Sequence, residues 1–438
     1  MVASLALPGS AYHPSHAARA GHRRLGSLSQ QELRAEIDVS IHLRERSDGP
    51  TVQQSLAFLA AQPAGMRRHL STQEMRDRHG WAPQDRDQVV RWAQDNGLRV
   101  TGENAAGRRI AVRAPAGKLA QLFGVELGRF SSTVADREVH YRGYSGPVRL
   151  PADIAPAVTA VLGLDNRPAA RSHIRESVPS RPTLVSYDPT DLASVYGFPR
   201  LPDDGEGIKL VAGMIELGGV THAADVAHAF RRLGLQPPAV VNVSVDGTVP
   251  RSDPDGADIE VALDYQVIGA MVLAMAPRAE LTIVSYNAEN SERGFTEAVA
   301  FTAGDDARRP AAVSISWGAG EDTWSLQGAR IMDSAFAGGS LRGVTFSAAA
   351  GDQGSVNAEY DGLQHPEFPA SSPHVWACGG TTLLAVRGRI VSETVWNELR
   401  IGAGAAGSGV SRVFAPARYQ RAAGIEARAA DGGVPGRG

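Results

Sequence analysis

The chain has 438 residues, 43% of them hydrophobic and 21% charged, which suits two or three soluble globular domains. A formal net charge of -3 gives no electrostatic case for nucleic acid or an anionic membrane as partner. The one cysteine, Cys378, cannot make an internal disulfide, which fits the cytosol and equally a secreted enzyme that does without bridges.

Residues 1 to about 28 are rich in Ala, Gly, Ser, His and Arg and predict a loose lead-in without a basic Sec-type start. Glu36–Leu43 alternates with period two and predicts a strand. Thr51–Ala61 has a helical pattern, and Ser71 with Glu74 forms a capping box at the start of another helix. Asp85–Asn96 predicts a third helix closed by Gly97. Arg99–Thr101 and Arg109–Arg113 predict paired strands around the Asn104–Gly107 turn, and Ala116–Phe123 a helix. The mixture predicts an α+β domain over residues 1–165. Residues 166–185 contain prolines and basic residues without periodicity, and predict a linker open to proteases or a plain connector.

Residues 186–438 read differently. Ile208–Ile215 is a mostly apolar run, as in a strand buried on both faces. Helix Ala223–Leu233, strand Val240–Val245, strand Ala279–Tyr286, helix Ser291–Phe301, strand Ala312–Gly318, helix Ser325–Ala337 and strand Val344–Asp352 follow. This alternation predicts an α/β fold with a doubly wound, mostly parallel sheet. Ligands bind such sheets at the carboxyl ends of strands, where Glu216, Trp317 and Asp352 stand. No run is long enough to span a membrane. The scattered histidines, His222 and His228 among them, read as surface residues rather than metal ligands.

Between two of these strands, Asp258-Ile-Glu-Val-Ala-Leu-Asp-Tyr-Gln predicts a helix capped by Asp255 or Asp258, with an apolar stripe of Ile259, Ala262, Leu263, Val267 and Ile268. Glu260 and Asp264 lie four positions apart on one face, where like charges cost a few tenths of a kcal/mol. Two close carboxyls with separated pKa values make an acid or a base. The same spacing also fits a solvated acidic face, and Asp253, Asp255, Asp258 and Glu260 together fit a metal-dependent hydrolase.

Seven stretches in register carry a family resemblance: Ile215-Glu-Leu-Gly-Gly, Asp258-Ile-Glu-Val-Ala-Leu-Asp, Val313-Ser-Ile-Ser-Trp-Gly, Ala348-Ala-Ala-Gly-Asp-Gln-Gly-Ser, Phe368-Pro-Ala-Ser-Ser-Pro, Ala377-Cys-Gly-Gly-Thr and Gly409-Val-Ser-Arg. The chain resembles the sedolisins, serine-carboxyl peptidases, in their kumamolisin-like proenzyme form. Phe123-Gly-Val-Glu-Leu and Leu162-Gly-Leu-Asp-Asn-Arg-Pro resemble the prodomain, and Tyr187-Asp-Pro-Thr-Asp-Leu the start of the mature enzyme. The resemblance implies a subtilisin-like peptidase domain over 186–438, incomplete at its C-terminus, behind a ferredoxin-like prodomain. It implies an acid-acting endopeptidase with polypeptide substrates, its own prodomain as partner in cis, no nucleic acid and no membrane, and an extracellular location with the cytoplasm as alternative.

The implied roles are specific. Glu260 resembles the general base, Asp264 its carboxylate partner, Glu216 and Trp317 the outer members of the chain that orients them, and Asp352 the oxyanion-hole residue. Glu367 resembles a subsite residue. A carboxylate base suits acidic pH, and a protonated Asp352 donates to an oxyanion only while it keeps its proton. Plainer readings stand beside these: Asp352 as a turn residue, Trp317 as core, and Glu216 and Glu367 as loop carboxylates.

The family's nucleophile, a Ser in a Gly-Thr-Ser turn, has no counterpart here. Gly379-Gly-Thr-Thr matches another segment, and Ser408 and Ser411 lie in or beside the Gly-Val-Ser-Arg stretch. The resemblance then implies a chain truncated before its nucleophile and before the family's calcium site, with uncovered apolar surface and no activity of its own. The alternative is a non-catalytic protein that binds peptides or inhibits a relative in trans.

Overall fold

A computed structural model describes residues 3–11, 22–134, 137–172, 186–253, 256–357 and 361–425. Asp255 and most of the expected linker, residues 173–185, lie outside these. The chain forms two compact units, one of Met1–Arg171, Glu289–Asp306 and Asp322–Val344, the other of Ser172–Ala288, Ala307–Glu321 and Thr345–Gly438.

In the first unit, Glu36–Leu43 pairs antiparallel with Arg109–Pro115 on one side and Val158–Leu162 on the other. Arg99–Asn104 extends the sheet beyond Arg109–Pro115. The predicted alternation has its physical cause here: Ile37, Val39, Ile41 and Leu43 point into a core shared with Val89, Ile110, Leu119 and Phe123. The Val52–Ala60 and Thr72–His79 helices start on capping boxes at Thr51 and Ser71. The third helix, Pro83–Asp95, begins earlier than expected because Pro83 occupies its first turn, where no N–H is needed.

One expectation is corrected in this unit. The lead-in contains strands, Ser4–Ala6 paired with Arg149–Pro151 and Arg23–Ser27 paired with Glu126–Val134. Glu126–Val134 in turn pairs antiparallel with Arg137–Ser145. Glu292–Gly304 and Leu326–Leu341 are also helices of this unit. Gln327 holds Val161 through both its amide atoms, at 3.1 and 3.0 Å. Arg109 pairs with Glu297 at 2.7 Å and buried Arg167 with buried Glu292 at 3.1 Å.

The second unit is built on a six-stranded sheet in the order Ala239–Ser244, Glu280–Asn287, Lys209–Glu216, Ala312–Ile315, Thr345–Ala349, Trp376–Cys378. Every pair in it is parallel. Lys209–Glu216 sends its connection toward one edge, while its neighbour Ala312–Ile315 sends its own toward the other. That divergence is the switch point at which α/β sheets open a crevice. The Ala257–Met275 helix covers the sheet, with Val261, Tyr265 and Leu273 packed on Met214, Phe230, Leu281 and Ile283. Beyond the sheet, Thr381–Val386 and Arg389–Val395 form a hairpin. Trp376 is 72% exposed and Val395 74%.

The acidic helix faces the other way from its predicted stripe. Ile259, Leu263 and Val267 are exposed, while Glu260 and Asp264 are buried at 4% and 8% exposure. Apolar side chains surround almost the whole helix, so periodicity alone did not say which face turns inward.

Candidate active site

Glu216 is the last residue of its strand and is fully buried. Trp317, which opens the short strand Trp317–Gly320, donates its Nε1–H to Glu216 Oε2 at 2.9 Å. Between that strand and Ala312–Ile315 lies Ser316, whose hydroxyl donates to Asp264 Oδ1 at 2.6 Å. Asp264 Oδ2 and Glu216 Oε1 have no hydrogen-bond partner among the described residues. Burial pushes the Glu216 carboxyl well above its ordinary range, the Asp264 and Glu260 charges push it further, and the Trp317 bond opposes them. Burial also raises Asp264 to about 6, against the pull of the Ser316 bond.

The reading of Glu260 and Asp264 as a solvated face is therefore corrected: both are inside, and both act on Glu216. Such an arrangement keeps protons on carboxyls at mildly acidic pH and is equipped to pass a proton between them. Trp317 is not plain core, because its indole N–H is committed to Glu216.

The Gly218–Gly219 pair after Glu216 lets that strand end close against the acidic helix. Gly219 has φ +75°, and a Cβ there would lie 2.6 Å from the carbonyl atoms of Ala257. Asp258, expected as a cap, sits inside the helix, whose N-cap is Gly256. Its carboxylate accepts from Val220 N–H at 2.7 Å, Ser252 Oγ at 2.6 Å, Asp253 N–H at 3.0 Å and His222 Nε2 at 3.1 Å. Burial opposes its charge, but these donors outweigh burial and hold it down to about 2. Asp258 is thus spent on fixing loops. Among the described residues, no three His, Cys, Asp or Glu side chains are grouped to hold a metal. His222 and His228 are exposed, as expected.

Asp352 follows the Thr345–Ala349 strand at the same edge of the sheet, and its carbonyl accepts from Ala405 N–H at 3.0 Å. It is not among the groups acting on Glu216. Glu367 is buried, not a solvated loop residue, and accepts from Asn357 Nδ2. Glu367 lies between the two motifs: a Cβ on Gly318 would meet its Cγ at 2.9 Å, and one on Gly351 its Cδ at 3.4 Å. Ser411 donates to Glu321 Oε2 at 2.7 Å and accepts from Val413 and Phe414 N–H, so its hydroxyl serves a local turn.

The residue that sequence reasoning missed is Ser316. Its signal was its place in Val313-Ser-Ile-Ser-Trp-Gly, beside a Trp already singled out.

Comparison with known proteins adds the following. Residues 23–167 match the family described as pro-kumamolisin, activation domain. Kumamolisin of Bacillus sp. (strain MN-32) is 40% identical over 413 residues, covering 92% of this chain and 72% of its own length. Tripeptidyl-peptidase sed5 of Aspergillus fumigatus is 28% identical, with 93% of this chain and 73% of that protein covered. Sedolisin of Pseudomonas sp. (strain 101) is 29% identical, with 58% and 46% covered. Among solved structures, Pseudomonas sedolisin, a serine-carboxyl proteinase complexed with pseudo-iodotyrostatin, matches with a TM-score of 0.48 and 26% identity over 58% of this chain and 68% of that one.

Proposed function

The chain belongs to the sedolisin family of serine-carboxyl peptidases as a kumamolisin-like proenzyme, and we propose that its second unit carries the carboxyl machinery of an acid-acting endopeptidase. The observation that carries this is the buried group in which Trp317 donates to Glu216 while Asp264 and Glu260 act on the same carboxyl. In this reading Glu260 is the general base that takes a proton from an attacking hydroxyl. Asp264 is its carboxylate partner, and Glu216 with Trp317 forms the outer part of the group, tied to Asp264 and Glu260 through charge. Asp352, while protonated, donates to the oxyanion of the tetrahedral intermediate, and Glu367 lines a substrate subsite. The fold of this unit is read as subtilisin-like, in line with its parallel sheet.

Residues 1–165 are the prodomain in cis, 166–185 hold the processing site and 186–438 form the peptidase domain. The activation-domain match over 23–167 supports the first boundary. A ferredoxin-like prodomain is supported by the antiparallel order Arg99–Asn104, Arg109–Pro115, Glu36–Leu43, Val158–Leu162. Limited proteolysis at pH 4 tests the boundary, with a first cut inside 166–185 expected.

An extracellular location goes with this reading; among the described residues no helix is long and apolar enough to cross a membrane. The resemblance brings calcium with it, but the described residues offer no grouped ligands, and no step runs through a metal.

These 438 residues hold no Gly-Thr-Ser turn, so the reading gives them peptide binding without turnover. The test is to mix the chain, cut between residues 166 and 185, with fluorescent peptides at pH 4. Binding that weakens in Glu367→Gln, with no cleavage, is expected. Cleavage lost in Glu260→Ala would overturn the inactivity. Absence of any peptide binding would sink the peptidase reading of this unit.

A further inference from the structure

Ser316 and Trp317 are consecutive, yet their donors go to different carboxyls, Ser316 Oγ to Asp264 Oδ1 at 2.6 Å and Trp317 Nε1 to Glu216 Oε2 at 2.9 Å. Alternate side chains of an extended backbone point to opposite sides, so one peptide unit can serve two partners. Each carboxyl thereby has one oxygen engaged. The other, Asp264 Oδ2 or Glu216 Oε1, is buried with no partner among the described residues. Resting on the carboxyl reading above, we propose that Ser316 is a positioning residue: it fixes Asp264 through Oδ1 and so makes Oδ2 the oxygen that exchanges a proton.

A carboxyl free to spin about its last torsion would offer either oxygen to a neighbour. An O–H···O bond of 2.6 Å to one oxygen removes that freedom. The ionisable groups placed around Asp264 are Glu260 on the same helix and Glu216 at the end of the neighbouring strand, and both carry negative charge when ionised. Neither can favour an ionised Asp264. The Ser316 hydroxyl is the donor that does, and it works against burial. Losing it leaves a carboxyl that holds its proton to higher pH.

The test reads protonation directly and needs no turnover. The full 438-residue chain is labelled with aspartate carrying 13C at the carboxyl carbon. The Asp264 signal is identified by its loss in Asp264→Asn and followed from pH 4 to pH 8. Ser316→Ala should raise the Asp264 midpoint by about one pH unit, the size that one hydrogen bond to an ionised carboxyl carries. Ser316→Thr, which keeps the hydroxyl, should restore the wild-type midpoint, a rescue that lost packing alone would not give. Should Ser316→Ala not fold, Ser316→Cys takes its place, since its weak S–H donor should give a smaller upward shift. Midpoints of Ser316→Ala or Ser316→Cys that coincide with wild type would overturn the proposal. The peptidase reading fails separately, through peptide binding, and a shifted midpoint would survive that failure.

Discussion

Trp317 reaches Glu216 across the carboxyl edge of the sheet, Nε1 to Oε2 at 2.9 Å, with both residues buried. The bond joins the motif after Lys209–Glu216 to the motif after Ala312–Ile315, two neighbouring strands whose connections leave in opposite directions. A neutral hydrogen bond of this kind contributes about 1 kcal/mol, and more when its acceptor is ionised. Trp317→Phe alone would mix this loss with the loss of ring volume. A double-mutant cycle of Trp317→Phe with Glu216→Leu, which leaves no oxygen to accept, read by urea unfolding at pH 5, should therefore give a coupling of about 1–2 kcal/mol. A coupling below roughly 0.3 kcal/mol would show that the contact orients nothing.

The buried carboxyls give the protein an acid-favouring slope. Asp264 has a folded-state pKa of about 6 against an ordinary 3.8. Between those values the folded chain holds more protons than the unfolded chain, so stability falls as pH rises from about 4 to about 6. Glu216, shifted in the same direction, adds to this. Two units at ~1.4 kcal/mol each make the Asp264 part roughly 3 kcal/mol. Urea midpoints taken from pH 4 to pH 7 should decline in the wild type and decline less in Asp264→Asn. An Asp264→Asn profile parallel to wild type would contradict the shift.

Asp258, six residues earlier, has the opposite sign. Its folded-state pKa of about 2 lies below the ordinary 3.8, so its contribution is complete above about 4 and disappears as pH falls through 2. The carboxylate is 6% exposed, but its partner His222 has a side chain 49% exposed, and screening trims the gain to about 1–2 kcal/mol. Asp258→Asn should lose that much at pH 7 and match wild type near pH 2. A constant difference across that range would mean that charge is not what Asp258 supplies.

The parts of this site legible in the sequence were those fixed by local spacing. Glu260 and Asp264 had to share a helix face, and Glu216 and Trp317 had to stand at strand ends, because the apolar runs before them stop there. What spacing could not give was direction. The Ala257–Met275 helix has Ile259, Leu263 and Val267 on one side and Val261, Tyr265 and Leu273 on another, and only the packed sheet decides between them. Asp258 reads as a cap because a short acceptor side chain at a helix start suits the free N–H groups there, whereas two of its four donors, Val220 and His222, lie more than thirty residues away. For Glu367 the sequence leaves a subsite residue and a solvated carboxylate side by side, because Gly318 and Gly351, which enclose it, are distant in sequence. Ser316 was invisible as a donor because its acceptor lies 52 positions away.

The two glycines after Glu216 separate space from backbone conformation, and they give the sharpest test of how this edge is built. Gly218 has room: a Cβ would lie 3.6 Å from both the Ala257 side chain and the Trp317 ring, which is ordinary contact. Gly219 has neither room nor a permissive backbone, with φ +75° and the Ala257 carbonyl 2.6 Å from a Cβ. Gly218→Ala should change stability by no more than about 0.5 kcal/mol. Gly219→Ala should cost about 2–4 kcal/mol, combining left-handed strain with overpacking against a backbone that cannot move aside. Because the helix that carries Asp258 and Glu260 begins at Ala257, the same substitution should also shift the Trp317 indole N–H signal in a 1H–15N spectrum. Equal stability of the two variants would mean that the strand end and the helix do not close on each other as tightly as this geometry requires, and the carboxyl group would lose the rigid frame on which its proton chemistry depends.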